Sequence, residues 1–93
     1  MKEIKLSGRE IAILRAIDFA TGATGPEIVE HSRIERDDVL DILNGLSDVG
    51  FLEGYAPGKD LPIPGRITAE EFEVARFEVN PSYALQLRGA MRR

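Results

Sequence analysis

The stretch IERDDVLDILNGLSDVGFL, residues 34–52, combines a helical pattern, a glycine stop and the start of an extended segment. At 100° per residue, one side of it collects the apolar residues Val39, Ile42, Leu43, Leu46 and Val49. Gly50 then breaks the helix, and Phe51 begins the segment that follows. The pattern predicts a helix over residues 35–49 and a strand over residues 51–56.

Two helices are predicted before this stretch. Ser7 with Glu10, and Thr24 with Glu27, have the spacing of a capping box, in which both side chains accept hydrogen bonds from backbone N–H groups. The first helix is expected over residues 7–21, where Gly22 ends it, and the second over residues 26–32. A helix, a short helix, a turn and a longer helix follow one another in a helix-turn-helix.

The region after residue 56 is predicted to be a long loop and a second strand. Prolines and glycines interrupt residues 57–65, and the apolar residues that follow are Phe72, Val74, Phe77 and Val79. They predict a strand over residues 72–79, with a bulge near Ala75 or Arg76 where the alternation slips. Thr68 and Glu71 match a third capping box, so a helical turn over residues 68–72 is the alternative.

The chain is expected to end in a helix over residues 81–92. Asn80 and Pro81 provide a cap and a first-turn proline, and the apolar residues continue at helical spacing. Leu85 falls outside the main apolar stripe of this helix, as Leu40 does in the third helix, so both are candidates for a subunit contact.

Composition limits the function classes. The 93 residues are 43% hydrophobic and 30% charged and include no cysteine, which predicts one globular domain without a disulfide or thiolate metal site. No apolar run reaches the length of a membrane span, and the N-terminus lacks a signal-peptide pattern, so a cytoplasmic protein is expected. We assign no catalytic residue, metal or cofactor, and we expect no enzyme.

The order of elements resembles the winged-helix superfamily from Leu6 to Met91. The most specific part is residues 34–52, which resemble the recognition-helix region of bacterial and archaeal transcription regulators. The resemblance implies an α+β winged helix: a three-helix helix-turn-helix core, a two-stranded hairpin wing with a long tip, and a C-terminal helix. It also implies that Ile34 faces the core, and that residues 83–91 are a candidate dimer contact.

The outward side of the third helix is predicted to be acidic. Asp37, Asp41, Asn44 and Asp48 gather opposite the apolar face, and residues 27–60 as a whole carry three basic and nine acidic residues. In winged-helix regulators this side enters the major groove, where it usually carries basic or neutral polar residues. Pairing of these aspartates with arginines would contradict the prediction of an open acidic surface.

Those aspartates would repel the phosphates of DNA. Their charge therefore favours a protein-interaction or dimerisation module over a DNA-binding domain. The expected partner is another protein or a second copy of the chain, contacted through Asp37, Leu40, Asp41, Asn44 and Asp48. The alternative is a DNA-binding transcription regulator that contacts phosphates from its helix ends and wing. The residues available for this are Arg33, Arg36, Lys59, Arg66 and Arg76.

Overall fold

The computed structural model describes residues 4–92. Within this range the helices are α1 (Gly8–Arg15), α2 (Gly25–Ser32), α3 (Arg36–Asp48), α4 (Ala69–Val74) and α5 (Ala84–Met91). The strands are β1 (Ala23–Thr24), β2 (Leu52–Tyr55) and β3 (Arg76–Val79), and a 3₁₀ turn at Pro81–Tyr83 precedes α5. No helix in residues 4–92 has the length and apolar character needed to cross a bilayer.

Capping boxes begin three of the helices. Ser7, Thr24 and Thr68 each accept a hydrogen bond from a backbone N–H three residues later, and the glutamate at that position accepts one in return. The box at Thr68 begins α4, so the predicted strand over residues 72–79 is wrong in its first half. The helical alternative is the one observed, and the proposed bulge near Ala75 or Arg76 is the junction between α4 and β3.

The first helix is shorter than the predicted range of residues 7–21. It ends at Arg15, and the Asp18 carboxylate accepts hydrogen bonds from the N–H groups of Ala20 and Thr21 at 2.7 and 3.1 Å. Gly22, at φ 79°, closes this turn by donating to the Asp18 carbonyl oxygen at 2.7 Å. A side chain that bonds the nearby backbone competes with the helix, which explains why α1 stops early.

The sheet contains a strand that the sequence did not indicate. Its order is β1-β3-β2, and both pairings are antiparallel. Leu52 pairs with Val79 at one end of the β2–β3 ladder, and Tyr55 pairs with Arg76 at the other. The short strand β1 pairs Ala23 with Phe77 on the far side of β3. The connection from β2 to β3 therefore spans residues 56–75 and includes α4.

Apart from Ala90, the buried apolar side chains of residues 4–92 form one cluster to which every named helix and strand contributes. Its largest members are Phe72 of α4 and Phe77 of β3, whose ring centroids lie 6.1 Å apart. Helix α4 packs on α2 at Gly25, where an added Cβ would collide with the Phe72 carbonyl oxygen and ring. The second half of the β2–β3 connection is thus part of the core, whereas most of residues 57–66 are exposed. The buried residues of this second half are Ile67, Phe72 and Ala75.

The predicted last helix, residues 81–92, begins as a 3₁₀ turn and becomes α-helical at Ala84. The Asn80 side chain accepts a hydrogen bond from the Ser82 N–H at 3.0 Å and donates one to the Gly50 carbonyl oxygen at 3.0 Å. These bonds fix the end of α3 to the start of the last helix. Leu85 lies on the outer side of α5 and is 84% exposed.

Candidate functional site

Helix α3 separates an apolar from a polar side as its spacing predicts, except that Val49 lies just after the helix end and is 57% exposed. Val39, Leu43 and Leu46 are buried in the core, and Asp37, Asp41 and Asp48 are exposed on the other side. Leu40 is half-buried and packs against the core cluster. The surface that a helix-turn-helix protein presents to a partner is therefore defined by the three aspartates and by Asn44 between them.

Asn44 lies on this outward side but is only 3% exposed, so the expectation that it faces solvent is wrong. Its Oδ1 accepts a hydrogen bond from the Ile67 N–H at 2.7 Å, and its Nδ2 donates one to the Ile67 carbonyl oxygen at 3.1 Å. Ile67 is itself only 4% exposed. Residues 66–68, called the crossing segment below, therefore lie across the middle of the outward side of α3.

Arg66 of the crossing segment changes the charge of this surface. Its guanidinium lies 3.7 Å from a carboxylate oxygen of Asp41 and 3.8 Å from one of Asp48. The prediction of an open acidic surface is therefore wrong for these two aspartates, whereas Asp37 has no ion-pair partner within residues 4–92. The Asp41 and Arg66 side chains are 82% and 64% exposed, so solvent and salt weaken this attraction.

Two arginines, Arg36 and Arg9, join the start of α3 to neighbouring helices. Arg36 donates a hydrogen bond to the Ala69 carbonyl oxygen at 3.2 Å and forms an ion pair with Glu73 at 2.6 Å. Its guanidinium carbon also lies 5.5 Å from the centre of the Phe72 ring. On the other side, Arg9 of α1 pairs with Asp38 at 3.3 Å. Arg36 thus holds α4 against α3 in addition to carrying a surface charge.

The other predicted phosphate contacts differ in their availability. Arg76 is paired with Glu78 at 2.6 Å across one side of β3. Arg33 is exposed at the end of α2, where its φ of 61° places it in the left-handed region, and Lys59 is exposed in the β2–β3 connection. Neither Arg33 nor Lys59 forms an ion pair with another described residue.

A second basic region lies between α1 and α5. A surface groove of about 530 Å³ is lined there by Arg15, Arg88 and Arg92 together with Asp18, and Leu14 and Met91 are among its apolar residues. Arg15 donates to the Met91 carbonyl oxygen at 3.2 Å, near the end of α5. A cation at the C-terminal end of a helix is favoured by the helix dipole, which gives these arginines a structural role.

Sequence reasoning missed the residues that cover α3. Ile67, Ala69 and Glu73 contact α3 through the bonds described above, and Arg9 reaches it from α1. The available signal was Ile67 itself, an apolar residue placed between a proline- and glycine-rich loop and the Thr68 capping box. An apolar residue in that position indicates a loop that returns to the core.

Comparison with solved structures supports the winged-helix fold. The chain is similar to BpsR of Bordetella bronchiseptica, whose DNA binding is described as regulated by 6-hydroxynicotinic acid, at a TM-score of 0.70 and 11% identity. The match covers 99% of this chain and 61% of that one. A MarR family transcription regulator matches at a TM-score of 0.65 and 20% identity, over 94% of this chain and 50% of that one.

This chain therefore spans between half and three fifths of the length of these two proteins. No family model matches the chain, and no curated protein matches it in sequence. Since both identities are low, the likeness concerns the fold: helices with a small antiparallel sheet, arranged as an α+β winged helix with a helix-turn-helix.

Proposed function

We propose that this protein is a DNA-binding transcription regulator of the winged-helix type. The observation that carries the proposal is the match of nearly the whole chain to BpsR, a protein described by its regulated DNA binding. The second similar structure is also a transcription regulator. Both favour the DNA-binding interpretation, which the sequence had placed second to a protein-interaction module.

Arg33 and Lys59 are the proposed primary phosphate contacts because both are exposed and without an ion pair within the described residues. Arg36, Arg66 and Arg76 are proposed as secondary contacts. Their present partners are exposed carboxylates, and exposed ion pairs contribute only about 0–1 kcal/mol. A phosphate that replaces such a carboxylate therefore faces a small energetic cost.

The number of contacts determines how binding depends on salt. For B-DNA, the logarithm of affinity falls with the logarithm of salt concentration at a slope of about −0.9 per neutralised phosphate. Two contacts predict a loss of about 12-fold between 50 and 200 mM salt, and five predict about 500-fold. The uncompensated charge of Asp37 and the acidic α3 surface place this protein nearer the lower value.

Fluorescence anisotropy with a labelled mixed-sequence duplex of about 30 base pairs tests the proposal. We expect binding at 50 mM salt that weakens by about tenfold or somewhat more at 200 mM, and weaker binding with a smaller slope for Arg33→Ala combined with Lys59→Ala. Arg15→Ala combined with Arg92→Ala is the matched control, because it also removes two positive charges, here from the groove between α1 and α5. Absence of binding at low salt, or equal losses in all variants, would contradict the proposal.

Self-association is a second candidate function, favoured by Leu85. This leucine is 84% exposed on α5, within residues 83–91 that the sequence proposed as a dimer contact. Sedimentation equilibrium over a range of concentrations is expected to show a dimer that Leu85→Ser weakens. Leu61→Ser is the control, since Leu61 is similarly exposed, at 79%, in the β2–β3 connection. A chain that remains monomeric at all concentrations would exclude this function.

A further inference from the structure

The hydrogen bonds of Asn44 have the pattern of base recognition. An asparagine reads adenine in the major groove by donating to N7 and accepting from the N6 amino group, one bond from each side-chain atom. In this protein Asn44 donates to the Ile67 carbonyl oxygen and accepts from the Ile67 N–H. The Ile67 backbone thus offers Asn44 the same acceptor and donor that an adenine edge would offer.

We infer that the crossing segment, residues 66–68, is an intramolecular competitor of DNA for Asn44. This inference rests on the proposed DNA-binding function and adds a specificity residue and its regulation. Asn44 is then the α3 residue that contacts an adenine edge, and it becomes available only when the crossing segment moves away. In the closed form described above, duplex DNA is excluded from the middle of α3.

The crossing segment is held at its centre and at one end. Two hydrogen bonds to Asn44 and the burial of the Ile67 side chain fix its centre, and the exposed Arg66 pairs add little. Thr68 fixes one end of the segment at the start of α4, where it accepts hydrogen bonds from the Glu71 N–H at 3.1 Å and the Phe72 N–H at 2.9 Å. The segment therefore opens by pivoting at Thr68.

Gly65, directly before the crossing segment, has a φ of 71°, and an added Cβ there would meet no other atom within 4 Å. Ile63, two residues before Gly65, is fixed by donating to the Gly54 carbonyl oxygen at 2.8 Å. The open space therefore lies at Pro64 and Gly65, next to the segment.

Opening also changes the charge on α3. When residues 66–68 move away, Arg66 leaves Asp41 and Asp48, and both carboxylates then face the DNA without a nearby cation. Their repulsion opposes opening toward DNA, so the wild-type protein is expected to be mostly closed and to bind weakly. A variant that weakens the closed form while keeping both the charges and Asn44 should therefore bind DNA more tightly.

Ile67→Gly is such a variant, because it removes the apolar anchor and leaves every charge in place. Burial of an isoleucine side chain corresponds to about one to two orders of magnitude in an equilibrium constant, so we expect DNA affinity to rise by at least tenfold. The double variant Ile67→Gly with Asn44→Ala should lose this gain, and so should a duplex composed only of G·C pairs. Leu61→Ser, elsewhere in the same connection, should bind as the wild type does.

Amide hydrogen exchange gives a second measurement that does not depend on these variants folding well. Adding mixed-sequence duplex to the wild-type protein should accelerate exchange of the Ile67 N–H, since DNA would displace the segment that protects it. The Leu43 N–H, in the core-facing part of α3, is the internal control. Circular dichroism of each variant confirms that the helices are retained.

The outcomes separate the two proposals. Tighter binding by Ile67→Gly that depends on Asn44, together with faster Ile67 exchange, supports the inference. If the wild type and Ile67→Gly bind equally, or if Ile67 stays protected in saturating DNA, the inference is overturned and the DNA-binding function stands. If no variant binds duplex DNA at low salt, the proposed function fails and the inference fails with it.

Discussion

Replacing Asn44 by alanine tests whether the contact between α3 and residues 66–68 stabilises the fold. The substitution removes two hydrogen bonds, at 2.7 and 3.1 Å, from a side chain that is 3% exposed. Each bond contributes about 0.5–1.5 kcal/mol net, so the free energy of unfolding should fall by about 1–3 kcal/mol. If the Ile67 N–H and carbonyl oxygen both stay buried without partners, at about 1–3 kcal/mol each, the loss rises to about 2–6 kcal/mol.

Urea denaturation followed by circular dichroism measures this difference, and Asp41→Ala is the matched control one turn away on α3. Asp41 forms only an exposed ion pair at 3.7 Å, so its replacement should change the unfolding free energy by less than about 0.5 kcal/mol. For a domain of this size, the Asn44→Ala loss corresponds to a fall in Tm of about 4–8 °C per kcal/mol. An Asn44→Ala protein as stable as the Asp41→Ala control would refute the reasoning.

Two further predictions concern packing and pH. Gly25→Ala should destabilise the protein by more than about 2 kcal/mol, because the new Cβ would collide with Phe72. Gly45→Ala should instead stabilise α3 by about 0.5–1 kcal/mol, because the new Cβ would have no neighbour within 4 Å. Thermal unfolding distinguishes the two outcomes. The hydrogen bond from the Ala20 backbone N–H holds the pKa of the Asp18 carboxyl below its ordinary value. The contribution of Asp18 to the free energy of unfolding is therefore complete at neutral pH and is lost as pH falls below about 4. Asp18→Asn should therefore lose less stability between pH 7 and pH 3 than the wild type, and an equal loss would contradict this.

Local signals predicted the parts of the fold that local interactions determine. The capping boxes at Ser7 and Thr24 need only residues three apart, and the buried face of α3 follows from helical spacing. The strand prediction over residues 72–79 was wrong in its first half. Phe72 and Val74 have the two-residue spacing of a strand, but the Thr68 capping box is a stronger local signal and begins a helix there. The strand β1, two residues long, has too short a pattern to recognise.

The candidate site could be predicted only in part, because its defining contact joins residues far apart in the chain. Helical spacing correctly placed Asn44 on the outward side of α3, but no local pattern indicated that Ile67 would cover it. The positions of the aspartates were also correct, and the error was to treat them as unpaired. Arg66 was assigned to phosphate contact on its charge alone, whereas the structure places it against Asp41 and Asp48.

Hydrogen exchange of the Ile67 amide in the free protein tests the central claim most directly, namely that residues 66–68 cover the outward side of α3. The Ile67 N–H is predicted to exchange at least tenfold more slowly than the exposed Lys59 N–H after correction for intrinsic rates, because it donates to the buried Oδ1 of Asn44. The same protection should be lost in Asn44→Ala. An Ile67 amide that exchanges at its intrinsic rate in the wild type would mean that the surface is open, and would contradict the account.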